Sequence, residues 1–150
     1  MPDSSAGHTP GTITILSLSA VDSDHAVLAQ TFHDSSLTLY PNCRLALQPS
    51  PTLESTIATL RRHRIPIVVC DRDGQPDAWR ELLEVTRNLP APPCLIVTSR
   101  NADDRLWAEL LHHGVFDLIS KPFDTSEVVR IVQSAWIHWQ NRYGAATTGN

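Results

Sequence analysis

The feature that most restricts the fold of this chain is the run at residues 65–71, Ile-Pro-Ile-Val-Val-Cys-Asp, followed at once by Arg72, Asp73 and Gly74. A short, almost continuous run of branched apolar residues reads as a strand buried on both faces, as in parallel sheets covered by helices on either side. Its abrupt end in a carboxylate and a turn-like segment places Asp71 at the carboxyl end of that strand. In open α/β sheets ligands bind at this edge, because the loops diverge there and helix N-termini point into the crevice. An isolated Asp after a strand more often just starts a turn, so Asp71 gains meaning only from partners elsewhere in the chain.

The flanking sequence repeats one pattern. Residues 12–18 alternate apolar and hydroxyl side chains as a strand does. Asp22, Ser23 and Asp24 suit the cap of a helix carrying Val27, Leu28 and Phe32. Residues 37–40 could pass for a short strand, but residues 44–48, where Leu45 and Leu47 alternate with their neighbours, make the better second strand. After Thr52, the residues Leu53, Ile57 and Leu60 recur at i, i+4 and i+7, one apolar helical stripe leading into the central strand.

Residues 77–87 form the next helix, with Trp79, Leu82 and Leu83 on one face, and Pro90, Pro92 and Pro93 end it. Residues 94–98 are a fourth buried strand, and residues 101–104 cap a helix holding Leu106, Leu110 and Leu111, with Gly114 as its stop. Residues 116–120 are a fifth strand and Lys121-Pro122 a rigid turn. Thr125, Ser126 and Glu127 then open a last helix that buries Val128, Val132, Ala135, Trp136 and Trp139. This alternation predicts an α/β fold: a five-stranded parallel sheet with right-handed crossovers and helices on both faces. One domain is expected at residues 12–142, after a disordered polar segment at 1–11 and before a flexible tail at 143–150.

A net charge of −4 argues against a phosphate-tracking surface, and the cluster Arg61, Arg62, His63, Arg64 suits a solvated helix end. Cys43, Cys70 and Cys94 show no metal-type pairing, and Cys70 and Cys94 read as small core residues in a reduced compartment. No apolar run approaches the roughly 20 residues needed to span a bilayer, and residues 1–10 lack the basic start and apolar stretch of a signal peptide, so a cytoplasmic protein is expected. Glycine-rich phosphate loops and a nucleophile elbow are missing, which removes most support for nucleotide or hydrolase chemistry. A flavodoxin-like cofactor binder would share the sheet order but would need a hydroxyl-rich phosphate loop after the first strand.

Three strand ends then present Asp71, the pair Thr98-Ser99, and Lys121 on one edge. An acid, a hydroxyl and an ammonium together can hold a phosphoryl group, with the carboxylate bonded to phosphorus while the other two bind its oxygens. With Lys121-Pro122-Phe123 after the fifth strand, the chain resembles the response-regulator receiver domains of two-component signalling over about residues 12–139. The resemblance implies a flavodoxin-like sheet of order 2-1-3-4-5. It also implies Asp71 as acceptor of a phosphoryl group from a sensor histidine kinase or phosphotransfer protein, with Lys121 pairing to the phosphate. A gapless count back from Gly114 and Lys121 assigns the hydroxyl to Ser99 rather than Thr98, since alternation turns the two side chains oppositely.

The sequence departs from the resemblance in two respects. The acid pair that holds Mg2+ at the end of the first strand is replaced by Ser19 and Ala20, so Mg2+ binding is expected to be weak. Asp71 and the backbone carbonyl of Asp73 remain as ligands. Asp22, Asp24 or the Asp73 side chain stand near enough to substitute, although helix capping is the commoner use of Asp22 and Asp24. Leu118 stands where such domains have an aromatic ring that swings with the hydroxyl. Two uses remain open: phosphoryl acceptance, with self-catalysed transfer and hydrolysis as the only chemistry, or a degenerate receiver serving as a phosphorylation-independent interaction module. The resemblance also points to homodimerisation through the fourth helix, fifth strand and fifth helix, where Trp107 and Ile137 fall off the apolar stripes, while the charge and the lack of a spanning apolar run leave no nucleic-acid or membrane partner expected.

Overall fold

The computed structural model describes residues 11–34, 38–39 and 43–144. Its strands are β1 (Gly11–Leu18), β2 (Thr38–Leu39), β3 (Cys43–Ser50), β4 (Ile67–Asp71), β5 (Cys94–Ser99) and β6 (Asp117–Ser120). The helices are α1 (Asp22–Asp34), α2 (Leu53–Arg62), α3 (Ala78–Thr86), α4 (Asp104–His113) and α5 (Thr125–Trp139), the last running into a π-helical turn, Gln140–Gly144. The sheet order is β2-β3-β1-β4-β5-β6. The five long strands are mutually parallel, so counted without β2 they have the expected order 2-1-3-4-5.

β2 is an addition to that expectation. Both candidates for the second strand form: Thr38 and Leu39 pair antiparallel with Arg44 and Cys43. Gly11, expected in the disordered lead-in, is the first residue of β1, and Tyr143 and Gly144, expected in the tail, belong to the π-helical turn. The expectations for residues 1–10 and 145–150 lie outside the described residues.

Alternation along the strands divides the core into two layers. Ile15, Ile67, Val69, Ile96 and Ile119 face Leu28 and Phe32 of α1 and Val128, Ile131, Val132, Ala135 and Trp136 of α5. Leu16, Leu18, Val68, Val97 and Leu118 face Leu60 of α2, Trp79 and Leu82 of α3, and Leu106 and Leu110 of α4. Every residue of β4 is buried, which fits its central place and its unbroken apolar sequence. Of the three apolar residues named for α1, Leu28 and Phe32 are buried and Val27 is 46% exposed, because Leu28 and Phe32 share one helical face.

Caps fix where the helices begin. Thr52 Oγ1 accepts the Ser55 N–H at 3.1 Å, Asp103 Oδ1 the Leu106 N–H at 2.8 Å, and Asp124 Oδ2 the Glu127 N–H at 2.9 Å. Gly114 ends α4 at φ 104°, a left-handed conformation that a side chain would strain. Because each crossover returns the chain to the same sheet edge, the N-terminal turn of α1 and the loops after β4, β5 and β6 meet there.

Candidate functional site

Asp71 is the last residue of β4 and only 3% exposed. Its Oδ1 accepts from Lys121 Nζ at 2.7 Å and from the Thr98 hydroxyl at 3.3 Å, while Oδ2 accepts the Gly74 N–H at 3.2 Å. Register explains the first two partners. Thr98 is the lateral neighbour of Asp71, and Ile119, two residues before Lys121, is the neighbour of Thr98, so all three side chains belong to one layer. The Lys121–Pro122 peptide that follows is cis.

Ser99 is turned to the other side of the strand. Its hydroxyl donates to Asp73 Oδ1 at 2.8 Å and accepts the Asn101 N–H at 3.0 Å. This corrects the expectation that Ser99 serves Asp71: the hydroxyl on Asp71 is that of Thr98. The gapless count allowed no extra residue between β5 and α4, and a shift of one residue reverses the face of a strand side chain.

The Asp73 side chain, one of the acids near enough to substitute, also reaches the site. It joins the cluster through its carboxylate, which accepts the Arg100 N–H at 2.9 Å and lies 3.2 Å from Lys121 Nζ. A further acid comes from α1: Asp24, 9% exposed, takes the Lys121 ammonium at 3.0 Å. Ser19 Oγ, 3.4 Å from Asp24 Oδ2, also accepts the Val21 N–H at 3.0 Å. Asp22 and Ala20 are exposed, so of the two helix acids it is Asp24 that enters the site. A signal for this lay in the sequence: Asp24, Leu28 and Phe32 stand at i, i+4 and i+8, one helical face, whereas Asp22 is turned roughly 200° away.

Lys121 thus touches three carboxylates, and its own side chain is 6% exposed. Burial pulls its ammonium towards the neutral form, but Asp71 and Asp24 more than reverse that, leaving its pKa above the ordinary lysine value. For Asp73, burial opposes ionisation, and the Arg100 amide, the Ser99 hydroxyl and Lys121 together outweigh it, holding the carboxyl below its usual range. The cluster keeps an excess of negative charge. Its oxygen-only donors match the preference of a small hard cation such as Mg2+, which is commonly held by one or two carboxylates with phosphate oxygens and waters. Among the described residues no group of three His, Cys, Asp or Glu side chains is arranged to hold a metal ion unaided.

No protein-family model matches the chain, and no curated protein matches it. Solved structures do. A response regulator from Thermotoga maritima is 16% identical at TM-score 0.69, covering 83% of this chain and 97% of that one. The signal receiver domain of a putative Luxo repressor protein from Vibrio parahaemolyticus is 14% identical at TM-score 0.72, covering 87% and 95%. The signal receiver domain of an HD domain-containing protein from Pseudomonas fluorescens is 18% identical at TM-score 0.68, covering 87% and 90%. This chain therefore has the receiver-domain fold of response regulators. Its strand-end pocket combines Asp71, Thr98 and Lys121 with Asp24 drawn from α1.

Proposed function

We propose that this chain is a signalling receiver that takes a phosphoryl group onto Asp71 from a phosphohistidine of a sensor histidine kinase or phosphotransfer protein. The carboxylate forms a new P–O bond, the P–N bond breaks, and the imidazole leaves with the electron pair and takes up a proton. What carries this reading is that one oxygen of a single buried carboxylate meets both an ammonium and a hydroxyl, the two groups needed to receive phosphoryl oxygens. Asp24 and Asp71, with the backbone carbonyl of Asp73, would hold Mg2+ in place of the absent first-strand acids. The ion would neutralise phosphoryl charge during transfer. Hydrolysis of the acyl phosphate would reset the site, with no other enzymatic activity.

The output surface in this reading is α4, β6 and α5, in the cytoplasm and without nucleic acid or membrane as partner. Trp107 and Ile137 are 47% and 49% exposed there. A groove of about 430 Å³ runs between these elements, lined by Trp107, Leu118, Glu127 and Arg130. A second copy or a target protein would dock on it. The test of phosphoryl acceptance is incubation with acetyl phosphate and millimolar Mg2+, read by intact mass: one phosphoryl adduct is expected on the native chain and none on Asp71→Asn. Absence of the adduct from the native chain would remove the reading.

A second reading has its own support, since Asp71 and Lys121 are buried and both oxygens of Asp71 are already bonded. The chain would then be a degenerate receiver, an interaction module in which these two residues form a structural ion pair. Removing one member of such a pair leaves a buried charge uncompensated, at a cost of about 3–5 kcal/mol. Under this reading Asp71→Ala unfolds at markedly lower urea concentration and no adduct forms. Under the first, loss of one of several clustered carboxylates relieves repulsion and leaves stability equal or higher.

A further inference from the structure

We infer that His25 is the positioning residue that brings Asp24 into the acidic pocket, supplying the carboxylate that Ser19 and Ala20 at the end of β1 do not. This rests on the pocket being a cation-assisted phosphoryl site. His25 is 7% exposed, yet both ring nitrogens are engaged, and both engage the same strand end. Nε2 lies 2.9 Å from the Ser19 carbonyl oxygen and Nδ1 lies 3.0 Å from Ser17 Oγ. A carbonyl only accepts, so Nε2 carries a hydrogen and donates it, and in a neutral ring Nδ1 then accepts a hydrogen bond from the Ser17 hydroxyl. Ser17 lies in β1 and Ser19 just past its end, so one flat ring bridges a side-chain hydroxyl of the strand and a main-chain carbonyl of the corner that follows it.

The bridge fixes the first turn of α1 against β1 at the place where direction matters. Asp24 is the preceding residue. Ser19, whose carbonyl the ring holds, has its hydroxyl 3.4 Å from Asp24 Oδ2 and accepts the Val21 amide that follows the strand. The imidazole thus holds the residue whose hydroxyl meets both the Asp24 carboxylate and the Val21 amide, beside the Asp24 N–H bond to the Val21 carbonyl that closes the turn. A side chain of equal bulk without the two nitrogens would fill the space but lose the two bonds that tie the turn to β1, and so loosen the aim of Asp24 at Lys121. The other account of His25, a core histidine that merely satisfies its hydrogen bonds, predicts lost stability on replacement but no link to cation affinity through Asp24.

The two accounts separate on Mn2+ binding, used as a paramagnetic stand-in for Mg2+ and read by electron paramagnetic resonance without any phosphodonor. Losing a partner that orients a ligand typically costs ten-fold or more in metal affinity, so His25→Leu should raise the Mn2+ dissociation constant by about 10-fold. Asp24→Asn should do likewise, and the double variant should be no worse than either single one, since both remove the same ligand. His25→Gln, which keeps a donor for the Ser19 carbonyl, should recover most of the loss. If His25→Leu fails to fold, Ser17→Ala removes one of the ring's partners and should weaken Mn2+ binding by a smaller factor. Unchanged affinity in His25→Leu or Ser17→Ala, strictly additive effects with Asp24→Asn, or no Mn2+ binding by the native chain overturns the inference. A native chain that binds Mn2+ with this coupling but gains no phosphoryl adduct would overturn the acceptor role of Asp71 and leave the role of His25 standing.

Discussion

Thr98 and Ser99 are adjacent hydroxyls with separate partners, Asp71 for one and Asp73 for the other. A hydrogen bond to a charged group is worth about 1.5–3 kcal/mol, so under the proposed acceptor role of Asp71, Thr98→Ala should slow phosphoryl uptake from acetyl phosphate by roughly ten-fold or more. Ser99→Ala should leave uptake within a few-fold and instead loosen the segment that Asp73 ties to the Arg100 amide, visible as faster hydrogen exchange there. Equal slowing by both substitutions would contradict this division. The carboxylate and the lysine could be read from sequence because each closes an apolar run. Thr98 could not, because a strand buried on both faces carries no sign of which side chain points which way. Asp24 was harder to single out for a different reason: it sits among acids that also suit a cap, and only its helical phase with Leu28 and Phe32 sets it apart.

Among the elements, α4 is the most sharply delimited, with Asp103 capping its start and Gly114 its end. Replacing an Asp cap by Ala typically costs about 1 kcal/mol, so Asp103→Ala should lower the unfolding free energy by that much, seen as a lower urea midpoint at unchanged slope. No shift in midpoint would show that the cap contributes nothing measurable. Helix boundaries were legible to within a few residues because proline, glycine and cap residues punctuate them. The sheet edge was harder to read. Two short candidates competed for one strand position, and the structure uses both, β2 being a two-residue strand that pairs only with the start of β3. So short a strand takes its existence from its neighbour rather than from its own sequence.

The whole molecule is a sheet between two apolar layers, and this architecture was readable because strand and helix periods alternate over the entire described chain. The buried thiols make that core sensitive to alkali. Burial and then the Asp71 charge push Cys70 up to about 12, and burial does the same to Cys94 against an opposing pull from Arg142. In the unfolded chain these thiols ionise near 9.0, so above that pH the unfolded state releases protons that the folded state retains. Stability should then fall with rising pH, by up to about 1.4 kcal/mol per pH unit for each thiol. Lys121 acts in the same direction later: its contribution is intact below 10.5 and is lost as pH rises through its higher folded value. Urea titrations from about pH 8 to 11 should show the decline, and Cys70→Ala with Cys94→Ala should flatten its first part. The layering has one more effect. Asp71 and Thr98 look into the layer of α1 and α5, whereas Leu118 looks into that of α2, α3 and α4. The main chain of β5 therefore stands as a partition between the carboxylate and Leu118, and the side-chain bonds that pass around its end run from Lys121 through Asp73 to Ser99.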